Sequence, residues 1–561
     1  MKNKLSVLLA LTLTLCLMVS AAFAQTVAAT EKGFGGDVTV ELTLDGDTLA
    51  SVLITGANET AGIGSVAIDT LGAAMVAANS VEVDSMSGAT ITSNAILAAA
   101  SKALAEAGVT LTPALQADAQ QAADATTDVV VVGGGLAGMS AAYTLREAGL
   151  DVILVEKNAM TGGNSATAGK FDVGGSKVQK AFGVDYTAED HYASVYAEVS
   201  EAIEVAGGSS TDFEPFVKLF TDRNGAYMDW LTDDLGLEVG SVSNGKEING
   251  PAGKKISTAA CTLVAERIIS MGVDVRLSTP GVELITDESN KVLGVKVEGP
   301  NGPYSIFAKA TILATGGFAA DYDLIAEFVP GWEGKPTSNI AATTGDGIKM
   351  ARKIGAKLSN MESVTLNPTF HTTPEGVTYS RSGTRYAGGI LIDKTNGQRF
   401  CDEMGDYTAA SLAELALPEQ SAWIVMDANS VNNAKDCVSA ETLEGLAEVI
   451  GVPAENLVAT VNRYNQWYDA GYDEDFGKTD FRARLENGPW YAMDVFPGVH
   501  NTHGGLVVNI RNQVLDTNDQ PINGLYAAGC VSDVLLFGAE ALTAAGVFGQ
   551  NAAASVIADI Q

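Results

Sequence analysis

The chain has 561 residues, 18% of them charged, and carries a formal net charge of −34. Negative charge on that scale argues against nucleic acid or an anionic membrane surface as partner, and a hydrophobic content of 46% rules out a disordered chain. Five cysteines and four histidines (His191, His371, His500, His503) form no C-x-x-C pair, no C-x-x-C-H haem attachment and no clustered metal centre.

Residues 1–24 read as a secretory signal peptide. Lys2 and Lys4 precede an apolar run from Leu5 to Val19, and Ala22-Phe23-Ala24 forms a small-x-small cleavage site before Gln25. The run is shorter than the ~20 residues that cross a bilayer, so cleavage is expected, with Cys16 leaving in the peptide. No later segment is expected to span a membrane. From Asp37 to Leu44 the residues alternate, with Val38, Val40, Leu42 and Leu44 on one face. Asp45-Gly46-Asp47 turns the chain and Thr48–Thr55 returns, so a hairpin is expected to begin the mature protein. The run Asp84-Ser-Met-Ser-Gly-Ala-Thr90-Ile-Thr-Ser93 then precedes a predicted helix, Asn94–Ala107, with Ser93 as its N-cap. Bare physics asks nothing more of that run than capping. Ala114–Thr127, rich in alanine, glutamine and aspartate without apolar periodicity, reads as a linker.

Thr127–Lys157 follows, and the rest of the chain is organised around it. Val129–Val132 is a continuous apolar run of the kind buried in a parallel sheet. Gly133, Gly135 and Gly138 stand at the G-x-G-x-x-G spacing: the first permits a tight turn, the second lets backbone approach a pyrophosphate, the third lets helix and strand pack closely. The helix they open, Met139–Ala148, points its N-terminal amides at that phosphate. A second strand, Asp151–Val155, ends at Glu156, placed 23 residues after Gly133 to hold a ribose hydroxyl. Lys157 adjoins it. Strand, glycines, helix, strand and carboxylate in register predict a dinucleotide fold.

Beyond it, Gly162-Gly163-Asn164-Ser165 supplies bare amides and small polar groups. Ile312–Phe318 is a buried strand running into glycines and contains Thr315 and Gly316; Thr343–Gly347, with Asp346, opens a helix; Gly524–Gly529 is a strand running into a tight turn. In this order and spacing the segments resemble the FAD domain of the fumarate reductase and flavocytochrome c family, a group that includes urocanate reductase. The D-x-x-S-G-A-T-x-T-S run resembles the motif of small FMN-binding domains, in which a threonine, here Thr90, is joined to the FMN phosphate.

The resemblance implies an α/β architecture: a Rossmann-type FAD-binding domain (128–361 and 500–561) interrupted by an α+β clamp domain (362–499), and preceded by a small α+β FMN-binding domain (25–112) and a linker (113–127). FAD would be non-covalent, held by Gly133, Gly135, Gly138, Glu156, Lys157, Gly162, Gly163, Asn164, Ser165, Thr315, Gly316, Asp346, Gly529 and Leu542. FMN would be covalent on Thr90, attached by a flavin transferase, and would replace the haem of the flavocytochromes.

The reaction of such a family, reduction of a C=C bond conjugated to a carbonyl, needs a proton donor, a polarising group for the carbonyl oxygen and a dry pocket. In fumarate-reducing members an arginine following a segment like Gln398–Glu403 is the acid; that position falls here on Tyr407. The arginine of the family's Glu–Arg relay matches Arg385, but its glutamate falls on Ser382. The family's H-x-T-M-G-G appears as His500-Asn-Thr-His503-Gly-Gly505, which keeps His500. A substrate histidine has become Asn367, the carboxylate-gripping arginine is Ala541, and Cys530 replaces an acidic residue of the late FAD turn. Losing arginine and glutamate at these places argues against fumarate, and a nearby cation such as Arg385 is expected to help Tyr407 work at neutral pH.

The resulting expectation is an extracytoplasmic flavoprotein reductase of anaerobic respiration. It would take electrons from a membrane or extracellular donor and deliver them to a small-molecule enoate or enone. The alternatives are a dehydrogenase with Tyr407 as base, or a diflavin carrier passing electrons to a partner protein.

Overall fold

A computed structural model describes residues 25–57, 59, 64–83, 90–111, 123–205, 212–374, 376–534 and 540–561. The signal-like segment, residues 84–89 of the Ser-Gly-Ala-Thr motif, most of the linker, and Gly538 lie outside them. The chain divides into two compact units, residues 1–121 and 122–561.

In the first unit the alternating strand does what its pattern requires: Val38, Val40, Leu42 and Leu44 are all buried. It is the middle of a three-stranded antiparallel sheet. The expected hairpin, Asp37–Asp45 with Thr48–Thr55, is present, but it does not begin the unit. A strand at Gln25–Lys32 precedes it and pairs along the whole of Asp37–Asp45. Helices Gly64–Ala78 and Thr90–Ala107 pack on this sheet, burying Leu71, Met75, Ile96, Ala99 and Ala103. The second helix begins at Thr90, four residues before the predicted start. Ser93 is therefore not an N-cap: it is fully buried within the first turn, while the neighbouring Thr92 hydroxyl donates to the Glu59 carboxylate.

The second unit is built on an eight-stranded sheet. Its parallel centre runs Asp274–Arg276, Val152–Val155, Ala125–Val132, Gly302–Leu313 and Pro521–Ala527. Val129–Val132 is buried on both faces, which explains its unbroken apolar run. The opening strand starts at Ala125, inside the stretch read as linker, because residues 125–127 pair with Ile306–Ala308. The first helix likewise starts early, spanning Leu136–Glu147.

The C-terminal helix, Glu540–Ile560, corrects one expectation. Its Ala541–Ile560 part is long and apolar enough to cross a membrane, yet 72% of its most apolar stretch is buried inside the protein. It packs against Leu136–Glu147 and Glu214–Asp229. Glycine makes the approach possible: a Cβ on Gly549 would lie 2.2 Å from the Ala137 carbonyl oxygen, and one on Gly546 2.0 Å from the Tyr227 ring.

Between the fourth and fifth parallel strands the chain makes a second, antiparallel sheet, ordered Thr378–Ser380, Val364–Thr372, Trp490–Thr502, Ala422–Met426 and Ile390–Asp393. Strand alternation gives it two cores. Ile390, Ile392 and Val425 face Leu446, Leu457, Val461 and Tyr464 on one side. Leu391, Ile424 and Met426 face Ala410 on the other, which belongs to the helix Tyr407–Leu415.

A buried ionic network pins the segment before that helix. Arg399 pairs with Glu403 at 2.7 Å and with Asp473 at 2.8 Å, and Lys478 reaches Glu403 at 3.2 Å. Each cation reaches Glu403 and a second carboxylate, Asp473 for Arg399 and Asp402 for Lys478, so each charge finds a partner, and removing one would leave another stranded.

Candidate functional site

The glycine-rich turn is shaped by contacts that a side chain would break. Gly133 has φ +113°, and a Cβ there would sit 2.3 Å from the Ala314 carbonyl oxygen. A Cβ on Gly138 would sit 2.0 Å from the Gly133 carbonyl oxygen. Gly135 caps the helix Leu136–Glu147 and has nothing closer than 3.8 Å to its Cβ position, so helix amides open onto clear space where a phosphate would lie. Gly162 and Gly163 have positive φ and run beside it, with a bridge between Gly135 and Gly162. Ser165 Oγ accepts from Leu136 N at 3.3 Å.

Glu156 is buried at the end of the second strand. Its carboxylate accepts from Gly134 N at 2.7 Å and from both nitrogens of Asn158 at 2.8 Å, and burial raises its pKa. It braces the glycine turn. Lys157 is ion-paired to Asp346 at 2.7 Å and bonds Thr344 at 2.7 Å. Thr315 Oγ1 accepts from Gly347 N at 3.2 Å, beside Gly316 with φ +76°. Gly529, φ +78°, closes on Ala137, and Leu542 is buried on the C-terminal helix. Segments from separate parts of the sequence thus converge on one glycine-lined cradle, and this donor set fits a dinucleotide.

Asn164 connects the cradle to the second group of residues. Its Oδ1 accepts from Ile340 N at 2.9 Å and its Nδ2 donates to Asn339, which in turn donates to the His500 carbonyl.

His500, Tyr407 and Arg385 come together from three separate elements. His500 is on the strand Trp490–Thr502, Tyr407 is the first residue of the helix Tyr407–Leu415, and Arg385 lies in the short helix Ser382–Tyr386. Asp406 caps the Tyr407 helix by accepting from Ala409 N at 2.7 Å, and Thr408 Oγ1 ties it to Leu366 N at 3.2 Å. The Arg385 guanidinium lies 4.4 Å from the centroid of the Tyr407 ring, and the His500 ring meets that ring edge-on at 5.8 Å. Arg385 is no surface residue: it is 2% exposed, donates to the carbonyls of Glu403 and Gly405, and leaves Nη1 without a partner among the described residues.

The expected pull of Arg385 on the Tyr407 phenol is present but outweighed. Burial and the Tyr386 hydroxyl push the Tyr407 phenol up to about 12, and Arg385 and Ser382 recover only part of that. His500 keeps an accessible edge, yet crowding around the ring holds its pKa below the usual histidine value. Its Nδ1 is 2.6 Å from Ser338 Oγ, which leaves Nε2 as the other ring nitrogen.

Two positions that depart from the resemblance, Asn367 and Ser382, are uncharged and linked. Asn367 Nδ2 donates to Ser380 Oγ at 2.9 Å and Ser382 Oγ at 2.7 Å, and the two serines are 2.9 Å apart. His503, buried and pushed down to about 3 by burial and by His500, is 2.7 Å from Thr365 Oγ1. It lines a cavity with Thr502, Cys530, Ser532 and Ala541. His371 stands apart, bonding the Asp494 carbonyl at 2.8 Å and packing on Tyr379. Cys261, Cys401, Cys437 and Cys530 are all free thiols.

Two residues that sequence reading missed belong to this neighbourhood. Tyr386 Oη is 3.0 Å from Tyr407 Oη. Glu414, fully buried two turns along the Tyr407 helix, has no hydrogen-bond partner for either oxygen among the described residues. Burial raises its pKa well above the ordinary 4.5, against the pull of Lys394 and Arg385. The folded protein therefore holds a proton that the unfolded chain loses above pH 4.5, so this group costs stability as pH rises, by about 1.4 kcal/mol per pH unit up to its folded pKa. Glu414→Gln, which keeps the shape of the neutral acid, should match the parent's Tm near the ordinary glutamate pKa and exceed it in mildly alkaline buffer. Equal Tm values under both conditions would show that the carboxyl ionises normally.

A family model described as FAD binding domain matches residues 128–547, and one described as FMN-binding domain matches residues 33–105. The chain is 30% identical over 579 residues to a urocanate reductase of Eggerthella lenta, covering 95% of this chain and 92% of that one. It is 32% identical over 424 residues to a probable fumarate reductase of Shewanella frigidimarina, covering 72% and 70%. Among solved structures, the open conformation of a flavocytochrome c3 fumarate reductase superposes with a TM-score of 0.64 at 31% identity, covering 77% and 78%.

Proposed function

We propose a function on one premise: the chain belongs to the FAD-binding family of flavoprotein reductases that includes fumarate and urocanate reductases. It is an oxidoreductase that uses FAD and FMN. The proposal is that it works outside the cytoplasm, takes electrons at an FMN joined to Thr90, and reduces the C=C bond of an enoate or enone other than fumarate in anaerobic respiration. A membrane or extracellular donor supplies the electrons, and a flavin transferase matures the first unit. We assign residues 128–361 and 500–561 to FAD binding and the intervening 362–499 to a clamp, carrying the second sheet.

Gly133, Gly135 and Gly138 would take the FAD pyrophosphate, Glu156 the adenosine ribose, and Gly162–Ser165, Thr315, Gly316, Asp346, Gly529 and Leu542 the remainder, with Lys157 held ready by Asp346. When bound, the flavin supplies the hydride. Everything else falls to the chain. Tyr407, protonated throughout the neutral range, holds the proton for the substrate carbon next to the carbonyl. Arg385 lies under its ring and stabilises the phenolate left behind. His500 Nε2 faces the carbonyl oxygen. The alternative is the reverse dehydrogenation, for which Tyr407 would act as base.

The observation that carries this reading is the meeting of Tyr407, Arg385 and His500; the family's charged groups are replaced by neutral Asn367, Ser382 and Ala541. Each charge-assisted bond to a carboxylate is worth about 1.5–3 kcal/mol, so losing two or three should slow fumarate by a factor of roughly hundreds or more. The test is reoxidation of reduced protein by fumarate, aryl acrylates and enones. An aryl acrylate or enone should reoxidise it rapidly and fumarate only slowly; brisk fumarate reduction would place the active site elsewhere.

A further inference from the structure

An acid that gives up its proton once per turnover must be recharged, and the route depends on what touches its oxygen. Arg385 covers the face of the Tyr407 ring, not its hydroxyl, and is a permanent cation whose Nε and Nη2 are already given to two backbone carbonyls. His500 meets the ring edge-on, with Nδ1 taken by Ser338. Ser382 lies near enough to Tyr407 to lower its pKa, but is bonded to Ser380 and Asn367, whose amide spans both serines. That set contains no ionisable group. Tyr386 differs on each count. Its Oη lies 3.0 Å from Tyr407 Oη, its ring is 6.4 Å from the Tyr407 ring, and the residue is 52% exposed.

We propose that Tyr386 is the positioning residue that recharges Tyr407, forming with it a two-phenol relay to solvent where the fumarate-reducing relatives use a carboxylate relay. The inference rests on Tyr407 being the acid. The balance closes without a further reactant. The substrate's C=C π bond is lost as one carbon gains the hydride and its neighbour gains the Tyr407 proton, breaking that O–H bond. The Tyr407 oxygen then takes the proton of Tyr386, and Tyr386 takes one from hydronium or a buffer acid. Two electrons and two protons enter and the saturated product leaves. The second proton step is a passage between like groups, so it needs contact and no matching carboxylate.

The test is Tyr386→Phe in the full-length, flavin-loaded protein, assayed with an acceptor that the parent reduces. Turnover should fall about 10- to 100-fold, at or below the lower limit of what a group acting directly on substrate contributes, with KM little changed. The solvent deuterium isotope effect on kcat should rise, and imidazolium buffer should restore rate in the variant while leaving the parent unaffected. A readout independent of turnover is the alkaline tyrosinate absorbance that disappears in Tyr407→Phe: it should titrate at lower pH once Tyr386 is gone. Turnover within twofold of the parent overturns the relay, as does a loss that buffer acid does not relieve or an unmoved titration. If Tyr407→Phe itself has normal turnover, the assignment of the acid fails first, and the relay fails with it.

Discussion

Replacing Tyr407 by phenylalanine lowers turnover by roughly 10²–10⁴-fold, the usual weight of a general acid, while FAD and FMN content stay at parental levels. The ring remains, so the packing against His500 and the stack with Arg385 survive; what is lost is the one O–H bond. Reduction of the protein by a small chemical reductant should be unaffected, because that step involves no substrate proton. The slow step should instead be reoxidation by the acceptor. The parent's pH dependence carries a companion result. Tyr407 must be protonated to act, and its pKa is pushed up to about 12, so any alkaline decline below that range belongs to another group. A Tyr407→Phe variant of normal rate would mean that another donor does the work.

Thr90→Ala should abolish covalent flavin altogether. Thr90 is the first residue of its helix, where the N-terminal amides favour a phosphate, and alanine is a good helix former there. Protein co-expressed with a flavin transferase, denatured and examined by mass and in-gel fluorescence, should carry one FMN in the parent and none in the variant. FAD should be released from both. The variant should lose turnover with a physiological donor that enters through FMN and keep it with a small reductant that reaches FAD directly. Fluorescent flavin retained on the denatured variant would rule the attachment out, and equal activity with both donors would show that FMN is not the point of entry.

Those parts of this protein whose free energy is settled within a few residues could be read from the sequence alone. A turn that needs positive φ and close backbone contact needs glycine wherever the chain goes, so Gly133 and Gly138 marked the cradle before any fold was known. Alternation at Val38–Leu44 required a half-buried strand, and the unbroken Val129–Val132 required one buried on both faces. The edge strand Gln25–Lys32 escaped notice because its place is secured by backbone pairing, with Ala29 its one buried residue.

Tertiary structure decided whatever depends on surroundings. Arg385 has the composition of a surface residue, and only the helix packed over it makes it a buried cation beneath a tyrosine. Tyr386 and Tyr407 are 21 residues apart and Arg399 and Asp473 are 74 apart; no local pattern announces either pairing. The C-terminal helix is apolar enough for lipid, and its fate was set by a neighbouring helix that its glycines allow to come within contact. Glu414 and Tyr407 show the same division in their protons. Residue type sets where a group titrates in water, but the shift away from that value is made by desolvation and by charges brought near in space, and those exist only once the chain has folded.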